Sequence, residues 1–143
     1  MKKASWVILV VVGALMLLAS LVSLGRAYAS AQDEIGTASL SELSTGRPEV
    51  ATAVRARRAT AAAYAAGFAT LFLAIILGPY RRGDVWAWWA LAAGTLVVSV
   101  LILLRIPLLG TQSGAGPALV MLIAAGVGLA LGAGRLAHGR PSS

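Results

Sequence analysis

The chain has 143 residues, enough for one compact unit. Hydrophobic residues make up 59% and charged residues only 12%, against roughly 25% charged in an average soluble domain. So few charges cannot coat a soluble globule of this size, whereas lipid solvates apolar side chains directly. There is no cysteine, which excludes a disulfide framework, a thiolate nucleophile, Cys-ligated metal and the chemistry of four-helix membrane thiol oxidoreductases. The formal net charge is +7. Its basic residues flank apolar runs, so anionic lipid headgroups are the expected counter-charge, and nucleic acid is not expected as a partner. The bias toward Arg, Ala and Gly resembles that of GC-rich bacterial genomes.

Crossing the hydrocarbon core takes about 20 apolar residues in a helix. Four uncharged stretches reach that length: Ser5 to Leu24, Ala59 to Gly78, Val85 to Leu104 and Ala115 to Gly134. Inside lipid every backbone N–H and C=O must be satisfied within the segment, so these runs must be helices. The expected fold class is all-α: an antiparallel bundle of four transmembrane helices, with one long loop, residues 25–58.

The first segment also has the shape of a signal peptide. Lys2 and Lys3 precede it, and Ala27-Tyr28-Ala29 and Ala29-Ser30-Ala31 follow as cleavage-like triplets. Its apolar run of about 20 residues exceeds the 7–15 typical of a leader's apolar region, so an uncleaved helix is expected. In the long loop, Ser44-Thr45 can cap a helix with Pro48 in its first turn and Glu49 behind it. The second helix should therefore begin near Arg47 and protrude from the bilayer before entering it. About 30 residues at 1.5 Å each span about 45 Å, more than the hydrocarbon thickness. Residues 39–43 are expected to form a short interfacial turn.

The second and third segments are joined by a tight hairpin from Pro79 to Asp84, and the third and fourth by a short loop from Arg105 to Gly114. An even number of spans puts both termini on one side. With the N-terminus inside, Lys2, Lys3, Arg81, Arg82, Arg135 and Arg140 are cytoplasmic, and Arg26, Arg47, Arg55, Arg57, Arg58 and Arg105 are outside. The count is level. The short Lys-bearing N-terminus and the short Arg81-Arg82 hairpin, where the positive-inside rule is strongest, favour cytoplasmic termini in a bacterial inner membrane.

All four tryptophans fall at one expected interface: Trp6 behind the N-terminal lysines, and Trp86, Trp88 and Trp89 behind Arg81 and Arg82. Indole rings favour the headgroup boundary, so this group reads as a lipid anchor with the N–H groups toward water. The competing reading is a stacking site for a ring-bearing ligand on the Trp86–Trp89 face. The segment Arg-Arg-Gly-Asp-Val-Trp-Ala-Trp-Trp (81–89) resembles the arginine-rich turn and Trp-Ala-Trp-Trp run of small, uncharacterised bacterial four-helix membrane proteins. The resemblance rests on about a dozen residues. It implies a fold and transfers no catalytic residue.

Arg55, Arg57 and Arg58 precede the second apolar run. They read as a helix end at the headgroups, pairing with lipid phosphate or nearby acids, or alternatively as an outer anion- or partner-binding patch. Small residues recur every four positions at Ala124, Gly128 and Gly132, at Ala63 and Gly67, and at Ala90 and Gly94. That spacing lets helix backbones approach closely, so Gly67, Gly94, Gly128 and Gly132 are expected packing positions.

No Asp, Glu, Lys, Arg or His lies inside any of the four stretches, which argues against proton-coupled transport. The sole histidine, His138, lies in the tail, and the sequence carries no motif for a metal, a phosphate loop or a catalytic nucleophile. No catalytic, metal or cofactor residue is assigned, and no cofactor is expected. The sequence therefore points to a non-enzymatic integral membrane protein: an accessory or assembly subunit of a membrane complex, or a structural component of the bilayer. Its expected partners are lipids and other membrane subunits. The alternative is a carrier or enzyme for a lipid or quinone held between helices near Tyr64, Thr70, Thr95 and Ser99.

Overall fold

The structure is a computed structural model, and it describes residues 2–29, 34–35, 38–40, 45–109 and 115–134. These residues form helices α1 (Lys2–Ala29), α2 (Pro48–Ile75), α3 (Val85–Leu109) and α4 (Ala115–Gly132). A π-helical turn, Ile76–Tyr80, extends α2. The described residues also include a two-residue antiparallel ladder, β1 (Glu34–Ile35) against β2 (Ala38–Ser39).

Three of the helices are long and apolar enough to cross a membrane: Lys3–Ala29, Pro48–Tyr80 and Val85–Leu108. The fourth is shorter, with its apolar stretch at Ala118–Gly132. The first helix runs straight through Ala27-Tyr28-Ala29 instead of ending at Leu24.

The second helix begins at Pro48 and runs without a break through residues 50–58 into the apolar stretch. Proline suits the first helical position, because its missing N–H would be unpaired there and its φ is preset. The turn before it uses Gly46 at φ +78°, and the Val50 N–H bonds the Arg47 carbonyl at 3.1 Å. Thr45 lies in this turn. Of the turn expected over residues 39–43, Ser39 instead pairs with Glu34 in the ladder and Leu40 is buried; its residues 41–43 and the expected cap at Ser44 lie outside the described residues.

Helix ends differ from the sequence expectation at two prolines. The second helix does not stop at Gly78; it passes Pro79 as a π turn and stays helical to Arg82. A proline ring collides with the i−4 carbonyl in an α-helix, and the wider i→i+5 turn relieves that collision. The third helix likewise passes Pro107 and ends at Leu109, where a loop was expected from Arg105. In an apolar helix one lost N–H is a tolerable defect, and the preset φ of proline fits the helix. The rest of that loop, 110–114, and the tail with Arg135, His138 and Arg140 lie outside the described residues.

Contacts divide the chain into two units. One comprises residues 1–14 and 71–143; the other comprises residues 15–70. In the first, α3 packs along α4 and against the π turn. Its core holds Leu9, Val12, Phe72, Ile76, Tyr80, Ala87, Leu91, Ala125 and Leu129. The second unit buries Ala27, Leu40, Ala59, Ala62 and Ala69.

The apolar side chains outside these cores are exposed along whole helices. Val7, Val11, Leu18, Leu21 and Val22 are exposed on α1, and Leu96, Val97, Val100, Leu101 and Leu104 on α3. Only 6% of the apolar stretch of α3 is buried. Water would penalise that surface at about 25 cal/mol per Å²; lipid would not.

Candidate functional site: the π turn and its aromatic rim

The π turn sits in the best-packed part of the first unit. Tyr80 closes the turn and is wholly buried, as is Ser5 on α1. Ser5 Oγ donates to the Gly128 carbonyl at 2.7 Å and lies 2.6 Å from the Tyr80 hydroxyl. A serine has one O–H, and here it is committed to Gly128. The Tyr80 O–H is therefore the donor to Ser5, which gives a directional chain from Tyr80 to Ser5 to the α4 backbone.

This chain needs small residues on α4. A Cβ at Gly132 would collide with the Tyr80 hydroxyl and lie 2.9 Å from Ser5 Oγ, and one at Gly128 would lie 2.8 Å from Leu9 Cδ2. The four-residue spacing of these glycines places two close approaches on one face of α4. Gly13, which no spacing pattern singled out, does the same on α1: a Cβ there would lie 2.7 Å from Leu73 Cδ2. Gly67 differs from the expectation. It is exposed, and a Cβ there meets nothing within 4 Å among the described residues. Gly94 is half-buried on α3.

The hairpin closes by paired main-chain bonds. The Gly83 N–H bonds the Tyr80 carbonyl at 3.2 Å, and the Asp84 N–H bonds the Pro79 carbonyl at 3.1 Å. This pair satisfies two end carbonyls and demands a left-handed residue between them, here Gly83 at φ +98°. Asp84 then stands just before the first turn of α3, where a negative charge is favoured by the helix dipole.

The four tryptophans divide into two kinds. Trp6 donates its indole N–H to the Ile76 carbonyl at 3.3 Å, and Trp88 donates to the Leu129 carbonyl at 2.9 Å. Both therefore point inward to main-chain oxygen, contrary to the expectation that every indole N–H faces water. A π turn and a helix end leave carbonyls poorly served by their own helix, and an indole is a suitable donor. Trp86 and Trp89 are exposed, each at 58%. Trp89 meets Trp88 edge to face at 5.0 Å. The Arg81 guanidinium lies over the Trp6 ring, 5.6 Å from its centroid, in cation–π range. Arg82 is exposed.

In the second unit Arg55 has a specific role. Its Nε donates to the Ala27 carbonyl at 3.1 Å and its Nη2 to the Tyr28 carbonyl at 3.0 Å. These are among the last carbonyls of α1, which have no partner within the helix. The guanidinium thus closes the C-terminus of α1 where its dipole favours a cation. Arg57 is exposed and Arg58 is half-buried.

Of the hydroxyls considered for an apolar-ligand groove, Thr70 donates to the Ala66 carbonyl and Ser99 to the Thr95 carbonyl, each on its own helix. Tyr64 is exposed at 77%. Among the described residues no three His, Asp or Glu side chains stand together as a metal site. Comparison with family models, curated proteins and solved structures gives no match.

Proposed function

We propose that this chain is a non-enzymatic integral membrane protein that crosses a bacterial inner membrane four times with both termini in the cytoplasm. It serves as an accessory or assembly subunit of a membrane complex, or as a structural protein of the bilayer. The observation that carries the reading is the exposure of apolar side chains along α1 and α3, which only lipid or another membrane helix can cover. The polar chemistry of the described core is directed at the protein's own backbone. Ser5, Tyr80, Trp6, Trp88 and Arg55 each close a contact that holds one helix to another or ends a helix. A scaffold needs such contacts, and a catalyst needs polar groups left free for a substrate.

A carrier of lipid or quinone is the second reading. Two of the hydroxyl groups it would use, Thr70 and Ser99, bond their own helices instead, so it draws no support from those two.

The test is gentle detergent extraction followed by native mass spectrometry, with cross-linking in intact membranes beforehand. A stoichiometric protein partner is expected. An isolated chain with a bound quinone or neutral lipid, and no cross-linked partner, would favour the carrier instead.

A further inference from the structure

We propose that the hairpin rim is a selective seat for one anionic phospholipid, with the Arg81 and Arg82 guanidinium groups on its phosphate and Trp86 and Trp89 beside its glycerol and acyl chains. This rests on the membrane reading above and goes beyond general anchoring, because it assigns a stoichiometric ligand of defined charge.

Four observations carry it. First, Arg81 is held in place. Its guanidinium carbon lies over the Trp6 ring, 5.6 Å from the centroid, and Trp6 itself donates its indole N–H to the Ile76 carbonyl of the π turn. A cation–π contact uses no N–H donor, so the planar fork of the guanidinium remains for a phosphate. Second, among the described residues no carboxylate pairs with Arg81 or Arg82, and both are exposed. Asp84 is the one acid of the turn; it is half-buried, and the turn with two arginines stays net positive. Third, the tryptophans have separated by task. Trp6 and Trp88 bond the protein's own backbone, whereas Trp86 and Trp89, one helical turn apart, remain exposed. Indoles left free at a headgroup boundary match the ester and upper-chain region of a phospholipid. Fourth, the backbone beneath is tied by main-chain and side-chain bonds: the paired bonds at Gly83 and Asp84 and the buried Tyr80 of the π turn, bonded to Ser5, stand under the two arginines. A fixed seat loses less entropy on binding than a flexible basic tail does.

Charge chooses the occupant. A zwitterionic headgroup brings its own cation toward the two guanidiniums, and an anionic diester does not. Free phosphate shares the anion chemistry and lacks the acyl chains that Trp86 and Trp89 would contact.

The experiment reconstitutes the full chain in vesicles of equal phosphatidylglycerol and phosphatidylcholine, confirms insertion by flotation, then extracts it and counts retained lipids by native mass spectrometry. One retained phosphatidylglycerol, enriched over phosphatidylcholine, is expected. Arg81→Gln and Arg82→Gln should each cut that enrichment about fivefold, and Trp86→Leu should lower it as well. Arg47→Gln, on an exposed position outside the hairpin, should leave it unchanged. Equal retention of both lipids, an equal loss in Arg47→Gln, or full displacement by millimolar inorganic phosphate would each overturn the seat. Failure of the unsubstituted chain to float with vesicles would instead overturn the membrane reading. If Arg81→Gln is not recovered, Arg82→Gln and Trp86→Leu decide the question.

Discussion

Ser5 and Tyr80 form a buried chain in which one partner is also an acceptor, so the two deletions are not equivalent. Tyr80→Phe removes a donor and leaves Ser5 bonded to Gly128, at a cost of about 1 kcal/mol. Ser5→Ala removes both the donor to the Gly128 carbonyl and the acceptor of the Tyr80 hydroxyl, so it should cost more, roughly 1–3 kcal/mol. The double variant should be less destabilised than the sum of the two. Thermal unfolding in a single detergent, read as a double-mutant cycle, checks this; strict additivity would mean the contact is not formed. Glycines make a second contrast. Gly132→Ala drives a Cβ into two fixed hydroxyls and should destabilise. Gly67→Ala meets open space and should be neutral or stabilise by up to about 1 kcal/mol through helix propensity. Equal effects at the two sites would contradict the packing described.

At the scale of elements, Arg55 joins the start of α2 to the end of α1. Arg55→Gln should loosen the last turn of α1 by about 1 kcal/mol, seen as faster amide exchange at residues 26–29 with little change in the core. Unchanged exchange there would remove the capping role. The elements themselves were largely legible in the sequence, because an uncharged apolar run of about 20 residues has few alternatives to helix. Pro48 and Glu49 also marked the start of α2 correctly, since local chemistry decides a helix start. The prolines at 79 and 107 misled, because proline stops a solvated helix but only widens or dents an apolar one. The Tyr80–Ser5 pair was not legible either. Its partners lie 75 residues apart, and nothing in a single sequence couples them. The tryptophans were legible as a group but not individually, because which indole turns inward depends on which carbonyl a neighbouring helix leaves open.

For the molecule as a whole, we propose that these helices cross a bilayer four times, with the termini and the Arg81–Gly83 hairpin on the cytoplasmic side. The sequence predicts four spans; the structure shows three helices that meet the length and apolarity needed, with large apolar side chains exposed on α1 and α3. Absence of cysteine makes the decisive measurement simple, because any introduced thiol is the only one. Single cysteines at Gly83, Ser142 and Ser41 are each labelled with a membrane-impermeant thiol reagent in intact cells, and again after permeabilisation. The account predicts that Ser41→Cys labels in intact cells, and that Gly83→Cys and Ser142→Cys label only once the membrane is opened. Labelling at Gly83→Cys but not at Ser41→Cys in intact cells would reverse the orientation, and opposite behaviour of Gly83→Cys and Ser142→Cys would contradict the four spans.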